Sequence, residues 1–192
     1  DGSISPNSIT GTGYLGVSMN TAGDVNGDGI DDFIIGAHYA NTTGTAHVVY
    51  GNAAGNLPVL SSGSIAASDG FRIVGATAPF ASSFGVSAAG DINGDGYADL
   101  LVASESAGAA YVVYGGSANA AGVNLSSGLA SSQGFVMTTP ARVMSVSGLG
   151  DFNGDGFADV AIRAAANSNA PYAKDVYVVY GSATGAALNL TN

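Results

Sequence analysis

A nine-residue segment of the form Asp-x-Asn-Gly-Asp-Gly-x-x-Asp occurs three times in this chain, beginning at Asp24, Asp91 and Asp151. Downstream of each segment the tetrapeptide Val-Val-Tyr-Gly also recurs, beginning at Val48, Val112 and Val178. Both patterns return at intervals of 60 to 67 residues, and self-similarity of this kind indicates a repeat architecture. The sequence therefore predicts a single domain, residues 1–192, of three repeats with boundaries at about 14–76, 77–138 and 139–192.

Each repeat is expected to contain four short strands. In the second repeat these are Phe84 to Ala88, Asp99 to Ala103, Ala110 to Tyr114 and Phe135 to Thr138. Short apolar runs bounded by glycine and rich in Val, Ile and Leu are typical of buried strands. Four consecutive antiparallel strands make one blade of a β-propeller, and propellers have four to eight blades. The sequence therefore predicts an all-β fold of three four-stranded antiparallel propeller-type blades, as part of a larger or oligomeric assembly.

The composition favours the same fold class and excludes several kinds of partner. Only 9% of the residues are charged and 30 are glycine, which suits many short strands joined by tight turns. The formal net charge is −10, so neither nucleic acid nor an anionic membrane is an expected partner. The sequence has no apolar run of the roughly 18 residues that a membrane span needs. It has no cysteine either, so bound metal is the expected cross-link in place of disulfides.

The repeated segment has the donor chemistry of a calcium loop. Calcium takes six to eight oxygen ligands, and alternate residues of a tight loop can turn their oxygens toward one ion. We assign to each site the side chains at positions one, three, five and nine and the backbone carbonyl at position seven. The three predicted Ca²⁺ sites are Asp24, Asn26, Asp28, Ile30 and Asp32; Asp91, Asn93, Asp95, Tyr97 and Asp99; and Asp151, Asn153, Asp155, Phe157 and Asp159.

Two other interpretations of the segment are weaker. An EF-hand needs a bidentate Glu at position twelve, where this chain has Ile35, Val102 and Ile162. Segments rich in Asp, Asn and Gly also form ordinary turns, but three identical sets of oxygen donors are not expected by accident. The sixth position is glycine in each segment, which predicts a sharp bend with positive φ there.

With these features the chain resembles the FG-GAP repeat family, found in the propellers of integrin α-subunits and in many secreted bacterial proteins. Phe84-Gly85 matches the leading pair of that repeat and Leu15-Gly16 nearly does, whereas Met144-Ser145 departs from it. The resemblance implies a seven-bladed propeller with calcium on the loop between the first two strands of a blade. It also implies an extracellular location, secreted or at the cell surface, and a role in adhesion or in binding protein or carbohydrate.

No catalytic residues are expected. The two histidines, His38 and His47, both lie in the first repeat, and His47 falls where the other repeats have tyrosine, so a packing role is favoured. Glu105 is the single glutamate and has no second acid placed to make an acid and base pair; we expect it to be solvated. The sequence has no cysteine and no Gly-x-Ser-x-Gly motif, so it suggests no candidate nucleophile for covalent catalysis.

We interpret the chain as an extracellular calcium-binding module for adhesion or ligand recognition. Two alternatives stay open: a self-assembling extracellular structural subunit, and an accessory domain of a secreted polysaccharide-active enzyme. Residues 1–13 resemble the outer strand of a preceding blade, whereas the third repeat stops where its own outer strand should follow. Other copies of the chain are therefore expected partners, with Ser8-Ile9-Thr10 donated to the third blade of a neighbour, either in a six-bladed dimer or along a filament.

Overall fold

The computed structural model describes residues 15–37, 44–55, 57–58, 64–75, 85–105, 107–165 and 174–190. Within these ranges the chain is built from β-strands, with only two single-turn 3-10 helices, at Ser117–Asn119 and Leu125–Ser127. The all-β prediction is confirmed. None of the helices in these ranges has the length and apolar character to cross a membrane.

Within the described residues the strands form three sheets, each built mainly from one repeat. The strands are β1 (Leu15–Gly23), β2 (Asp32–Ala37), β3 (Thr45–Val49), β4 (Gly70–Val74), β5 (Val86–Gly90), β6 (Asp99–Ser104), β7 (Ala109–Val113), β8 (Val123–Asn124), β9 (Gly134–Thr138), β10 (Arg142–Gly150), β11 (Asp159–Ala165), β12 (Lys174–Val179) and β13 (Leu188–Asn189). Sheet 1 has the order β1-β2-β3-β4-β8, sheet 2 the order β5-β6-β7-β9-β13, and sheet 3 the order β10-β11-β12. The first four strands of sheets 1 and 2 are antiparallel neighbours in chain order.

Sheets 1 and 2 each gain a fifth strand that the sequence patterns do not predict. The two-residue strand β8 comes from the second repeat and pairs in parallel with β4, and β13 comes from the third repeat and pairs in parallel with β9. The sheets are therefore mixed rather than purely antiparallel. Because each fifth strand belongs to the following repeat, it covers an outer edge and also ties neighbouring repeats together.

The hydrophobic core lies between the sheets. One buried cluster joins sheet 1 to sheet 2 and includes Val25, Ile34 and Val48 from the first repeat with Leu100 and Val102 from the second. A second cluster joins sheet 2 to sheet 3 in the same way. A single repeat therefore cannot bury its own apolar faces, and stability comes from stacking one repeat on the next.

The strand predictions for the second repeat are largely confirmed. β6, β7 and β9 match the expected ranges to within one residue. The first strand begins at Val86 rather than Phe84 and extends to Gly90, so it ends immediately before the acidic segment that begins at Asp91. Phe84 itself, His38 and the proposed donor Ser8-Ile9-Thr10 lie outside the described residues.

The glycine that precedes each loop allows a test of the stacking between repeats. Gly90 and Gly150 have similar positive φ values of 77° and 67°. A Cβ added to Gly90 would lie 2.7 Å from Ala158 Cβ in the next repeat, whereas one added to Gly150 would have no atom of the described residues within 4 Å. Both substitutions share the left-handed backbone penalty of roughly 1–2 kcal/mol, but only Gly90→Ala also overpacks an interface.

We therefore expect Gly90→Ala to lower the free energy of unfolding by about 1–3 kcal/mol more than Gly150→Ala does. Urea unfolding of the two variants beside the parent chain measures this difference. Equal losses in the two variants would show that the repeats do not pack as closely as the structure indicates.

Candidate metal centre

Three loops of the same conformation connect the first two strands of each sheet. They run from Asp24 to Asp32, from Asp91 to Asp99 and from Asp151 to Asp159, so that the last residue of each loop begins the second strand. The glycine at position six has φ of 86°, 89° and 93° in the three loops, which confirms the predicted bend. The glycine at position four also has positive φ, a second turn that the sequence reasoning did not anticipate.

The first aspartate of each loop organises the turn. In the second loop, Asp91 Oδ1 accepts hydrogen bonds from the backbone N–H groups of Gly94 (2.7 Å) and Asp95 (3.0 Å), and Asp91 Oδ2 accepts one from Gly96 (2.9 Å). The corresponding three bonds are present in the first loop and in the third. The carboxylate therefore replaces the backbone acceptors that so tight a turn lacks.

The side chains at positions three and five are linked to each other and to the loop backbone by a short chain of hydrogen bonds. Asn93 Oδ1 accepts from the backbone N–H of Asp95 at 2.9 Å, and Asn93 Nδ2 donates to Asp95 Oδ2 at 2.9 Å. Asp95 Oδ1 in turn accepts from the N–H of Tyr97 at 3.0 Å. The same pattern is repeated in the first loop and in the third.

The aspartate at position nine is buried and joins distant parts of each repeat. Asp99 is fully buried; its Oδ2 accepts from the N–H of Ile92 (2.9 Å) and its Oδ1 from the N–H of Gly115 (2.8 Å). Gly115 is the glycine of Val-Val-Tyr-Gly, so this carboxylate connects the loop to the end of the third strand. Asp32 and Asp159 make the equivalent pairs of bonds. The sequence analysis did not predict this structural role. The acidic segment and Val-Val-Tyr-Gly recur together in all three repeats, and that joint recurrence could have indicated a contact between them.

The surroundings of the buried carboxylate disfavour its ionised form. Burial raises the pKa of Asp99 to about 7; the charges of Asp95 and Asp91 act in the same direction, against the two backbone N–H donors. Burial likewise raises the pKa of Asp32, again with smaller contributions from the two other acids of its loop. The acids of a loop are thus close enough to repel one another, and a cation among them would relieve that repulsion.

The donor set fits a hard divalent cation. Every side-chain donor at positions one, three, five and nine is a carboxylate or amide oxygen, which is what calcium prefers. In the second loop Asp91 Oδ2 and both carboxylate oxygens of Asp95 each accept a single hydrogen bond, so each retains a second lone pair. With the side chains directed toward backbone donors, no group of three or more acidic or histidine side chains in the described part of the chain is itself arranged to hold a metal ion.

Outside the loops, the structure shows the contacts of Glu105 and His47. Glu105 is not simply solvated: it forms an ion pair with Arg142 at the start of β10 and so joins the second repeat to the third. His47 is buried in β3, with its Nε2 3.3 Å from Thr45 Oγ1, which agrees with a packing role.

Sequence comparisons assign the repeats to a known family. A model of the FG-GAP repeat matches residues 20–50, and a model of the FG-GAP-like repeat matches residues 91–162. Together these segments cover more than half of the chain and contain all three loops. The chain belongs to the FG-GAP repeat family.

A curated relative supports the FG-GAP assignment. Integrin alpha-PS2 of Drosophila melanogaster is 34% identical to this chain over 96 residues, which are 49% of this chain and 7% of the integrin. The chain thus resembles a small part of a much longer protein.

Proposed function

We propose that this chain is a calcium-binding β-propeller-type module of an extracellular or cell-surface protein, in which calcium is structural and the module serves adhesion or ligand recognition rather than catalysis. The observation that carries the proposal is the recurrence of one loop conformation with one set of oxygen donors in all three repeats. The three sheets would be propeller blades, each with its ion on the loop between the first two strands.

Calcium would act by closing each loop onto the sheet behind it. The acids at positions one and five belong to the loop, whereas the buried acid at position nine begins the second strand and accepts a hydrogen bond from the glycine that follows the third strand. One ion held by the loop acids and by the position-nine acid would link the loop, the second strand and the end of the third strand. It would also neutralise the carboxylates, which repel one another. The formal charge of −10 would fall to −4 with three bound ions.

The comparison with integrin alpha-PS2 supports the extracellular location and the role in adhesion, because that relative is an integrin subunit. Few charged residues and no cysteine leave calcium as the cross-link of a fold exposed to the outside.

We expect calcium to stabilise the fold. With dissociation constants of about 10⁻⁴ to 10⁻³ M, typical of extracellular modules, calcium near 1 mM adds roughly 0.4–1.4 kcal/mol per site. Thermal unfolding in calcium and in excess chelator measures this, with magnesium as the control because its smaller, octahedral shell suits the loops less well. An unchanged midpoint together with no bound calcium by elemental analysis would refute the proposal.

A second candidate, self-assembly by strand addition, is favoured by the edge of sheet 3. Among the described residues β12 pairs only with β11, whereas the equivalent strands β3 and β7 have neighbours on both sides. An extended segment from another copy could pair with this edge through main-chain hydrogen bonds. If residues 1–12 are the donor, deleting them is expected to convert an oligomer to a monomer in light scattering; an unchanged particle mass would exclude this donor.

A further inference from the structure

Each of the three loops contains the dipeptide Asn-Gly, at positions three and four. The three copies are Asn26-Gly27, Asn93-Gly94 and Asn153-Gly154, and the dipeptide occurs nowhere else in the chain. Asparagine followed by glycine is prone to spontaneous deamidation, because glycine has no Cβ to hinder the approach of its nitrogen to the asparagine side chain. Metal binding makes no use of this reactivity.

Deamidation at such a dipeptide needs only the chain and water. The backbone nitrogen of the glycine attacks Cγ of the asparagine and gives up its proton, and Nδ2 leaves as ammonia, so that a succinimide ring is formed. Water then opens the ring. Cleavage of the bond between the nitrogen and Cγ gives aspartate, whereas cleavage at the main-chain carbonyl gives isoaspartate, in which the main chain runs through the former side chain.

The aspartate at position one holds the nitrogen that would have to attack. In the third loop Asp151 Oδ1 accepts a hydrogen bond from the N–H of Gly154 at 2.7 Å. The attacking nitrogen must lose the proton that it donates here, while it lies beside a negatively charged oxygen. The corresponding bonds in the first and second loops are also 2.7 Å long. The carboxylate at position one therefore opposes formation of the succinimide.

The asparagine side chain is held as well. Asn153 Nδ2 donates to Asp155 Oδ2 at 2.8 Å, and Asn153 Oδ1 accepts from the N–H of Asp155 at 2.9 Å. Departure of Nδ2 as ammonia breaks the first of these bonds. The same two bonds are present in the other loops. In all three loops deamidation is thus expected to require local opening of the turn.

The third dipeptide is the least enclosed of the three. Its asparagine is exposed, whereas those of the first two loops are partly buried. A Cβ on Gly27 would lie 2.5 Å from the Tyr97 ring, and one on Gly94 would lie 2.6 Å from the Phe157 ring. A Cβ on Gly154 would have no atom of the described residues within 4 Å. The first two turns are therefore covered by an aromatic ring of the next repeat, and the third turn has no such cover among the described residues.

The next repeat also holds the first two loops through their backbone. The carbonyls of Asp24 and Val25 accept hydrogen bonds from the second repeat at 3.0 and 2.7 Å, and two bonds of 2.9 Å join the second loop to the third repeat. In the part of the chain that the structure describes, no backbone N–H donates to the carbonyls of Asp151 or Phe152. Position two is 1% exposed at Val25 and Ile92 but 66% exposed at Phe152. Opening of the third loop therefore breaks fewer contacts.

We propose that Asn153 is a site of spontaneous deamidation in this chain, and that the Asp151 carboxylate limits the rate by holding the Gly154 nitrogen. Conversion to aspartate replaces the Nδ2 donor with a carboxylate beside Asp155, and isoaspartate also adds one carbon to the main chain within a tight turn. Either product disturbs the third loop. This goes beyond the proposed calcium function and does not depend on it, because the contacts involved are made by the chain's own atoms.

The few basic residues of the chain allow the three sites to be measured separately. Trypsin cleavage after Arg72, Arg142 and Arg163 places each Asn-Gly dipeptide on its own peptide, and the peptide of residues 143–163 has Asn153 as its single asparagine. The folded chain is incubated at neutral pH, and samples taken over time are digested. Mass spectrometry then reports the fraction of amide converted to acid in each peptide, and enzymatic methylation reports isoaspartate.

In the parent chain Asn153 is expected to be converted about tenfold faster than Asn26 or Asn93, because opening of the first two loops requires further hydrogen bonds to break. Equal rates at the three sites, or a faster rate at either of the other two, would overturn the proposal. The series is run in chelator and in calcium, and the same order is expected in both. A failure of metal binding would appear as equal rates in the two conditions, so it is distinguished from a failure of this proposal.

Asp151→Ala should accelerate the conversion of Asn153 by roughly 10- to 100-fold in chelator, since a hydrogen bond to a charged acceptor is lost. Asp151→Asn keeps an acceptor oxygen without the charge and should accelerate it less. Asn26 and Asn93 are internal controls in the same molecules, and their rates should stay at the parent values. An unchanged or slower rate at Asn153 in Asp151→Ala, or a parallel rise at all three asparagines in both variants, would contradict the role assigned to Asp151.

Discussion

Replacing Asp99 with alanine is expected to lower the free energy of unfolding by about 3–5 kcal/mol, even in the absence of calcium. The carboxylate is fully buried and accepts hydrogen bonds from the N–H groups of Ile92 and Gly115. Alanine leaves both donors buried without a partner and opens a cavity, and each of these effects is individually worth one or more kcal/mol. The loss should exceed that of any single substitution at the exposed loop positions.

The matched variant is Asp95→Ala, at position five of the same loop. Asp95 is exposed, so in excess chelator its removal should change the free energy of unfolding by less than about 1 kcal/mol. In calcium, both variants should lose one bound ion and retain two, because each loop supplies its own donors. Urea unfolding with chelator, together with a metal count, distinguishes the two positions; similar losses in chelator would contradict a structural role for Asp99.

Acidification from pH 7 to pH 4 is expected to cost the fold about 3 kcal/mol through His47 alone. Burial and, to a smaller extent, the adjacent positive charge of Arg72 on β4 together lower the pKa of His47 from 6.5 to about 4. Its Nδ1 has no hydrogen-bond partner among the described residues. The unfolded chain therefore binds a proton near pH 6.5 that the folded chain does not. The stability from neutral His47 is complete above pH 6.5 and is lost as the pH falls toward 4.

His47→Tyr is the control for this prediction, because tyrosine occupies the equivalent position, at Tyr111 and Tyr177, in the other two repeats. The parent chain and the variant share every other acid-sensitive group, including the loop carboxylates. The difference between their free energies of unfolding, measured in chelator at a series of pH values, therefore isolates the histidine. A difference that stays constant from pH 7 to pH 4 would show that His47 can be protonated in the folded chain without penalty.

The conformation of the repeated loop could be predicted from its local sequence. Gly96 and its equivalents at position six need positive φ, and alternating Asp and Asn side chains can satisfy a tight turn without help from the rest of the chain. The strands β6 and β7 could likewise be located, because short Val- and Leu-rich runs between glycines have few alternatives. These features depend on residues within about ten positions of one another.

Other features depend on contacts between repeats and could not be located in this way. The strand Val123–Asn124 is too short to have a sequence signal and exists because it pairs with β4 of the preceding repeat. The ion pair of Glu105 with Arg142 likewise requires the stacking of sheet 2 on sheet 3. No local pattern specifies which repeat lies against which face.

The sequence by itself determined that the chain is all-β, that it has three repeats and that each repeat carries one acidic loop, since turn chemistry and strand periodicity are local properties. Only the tertiary structure decided that the same position is buried at Val25 and Ile92 but exposed at Phe152, and that Asp99 supports the fold as well as the loop. The physical reason is that a sheet of this kind buries neither of its faces alone. Burial is assigned by the neighbouring repeat, and it is therefore a property of the stack rather than of the residue.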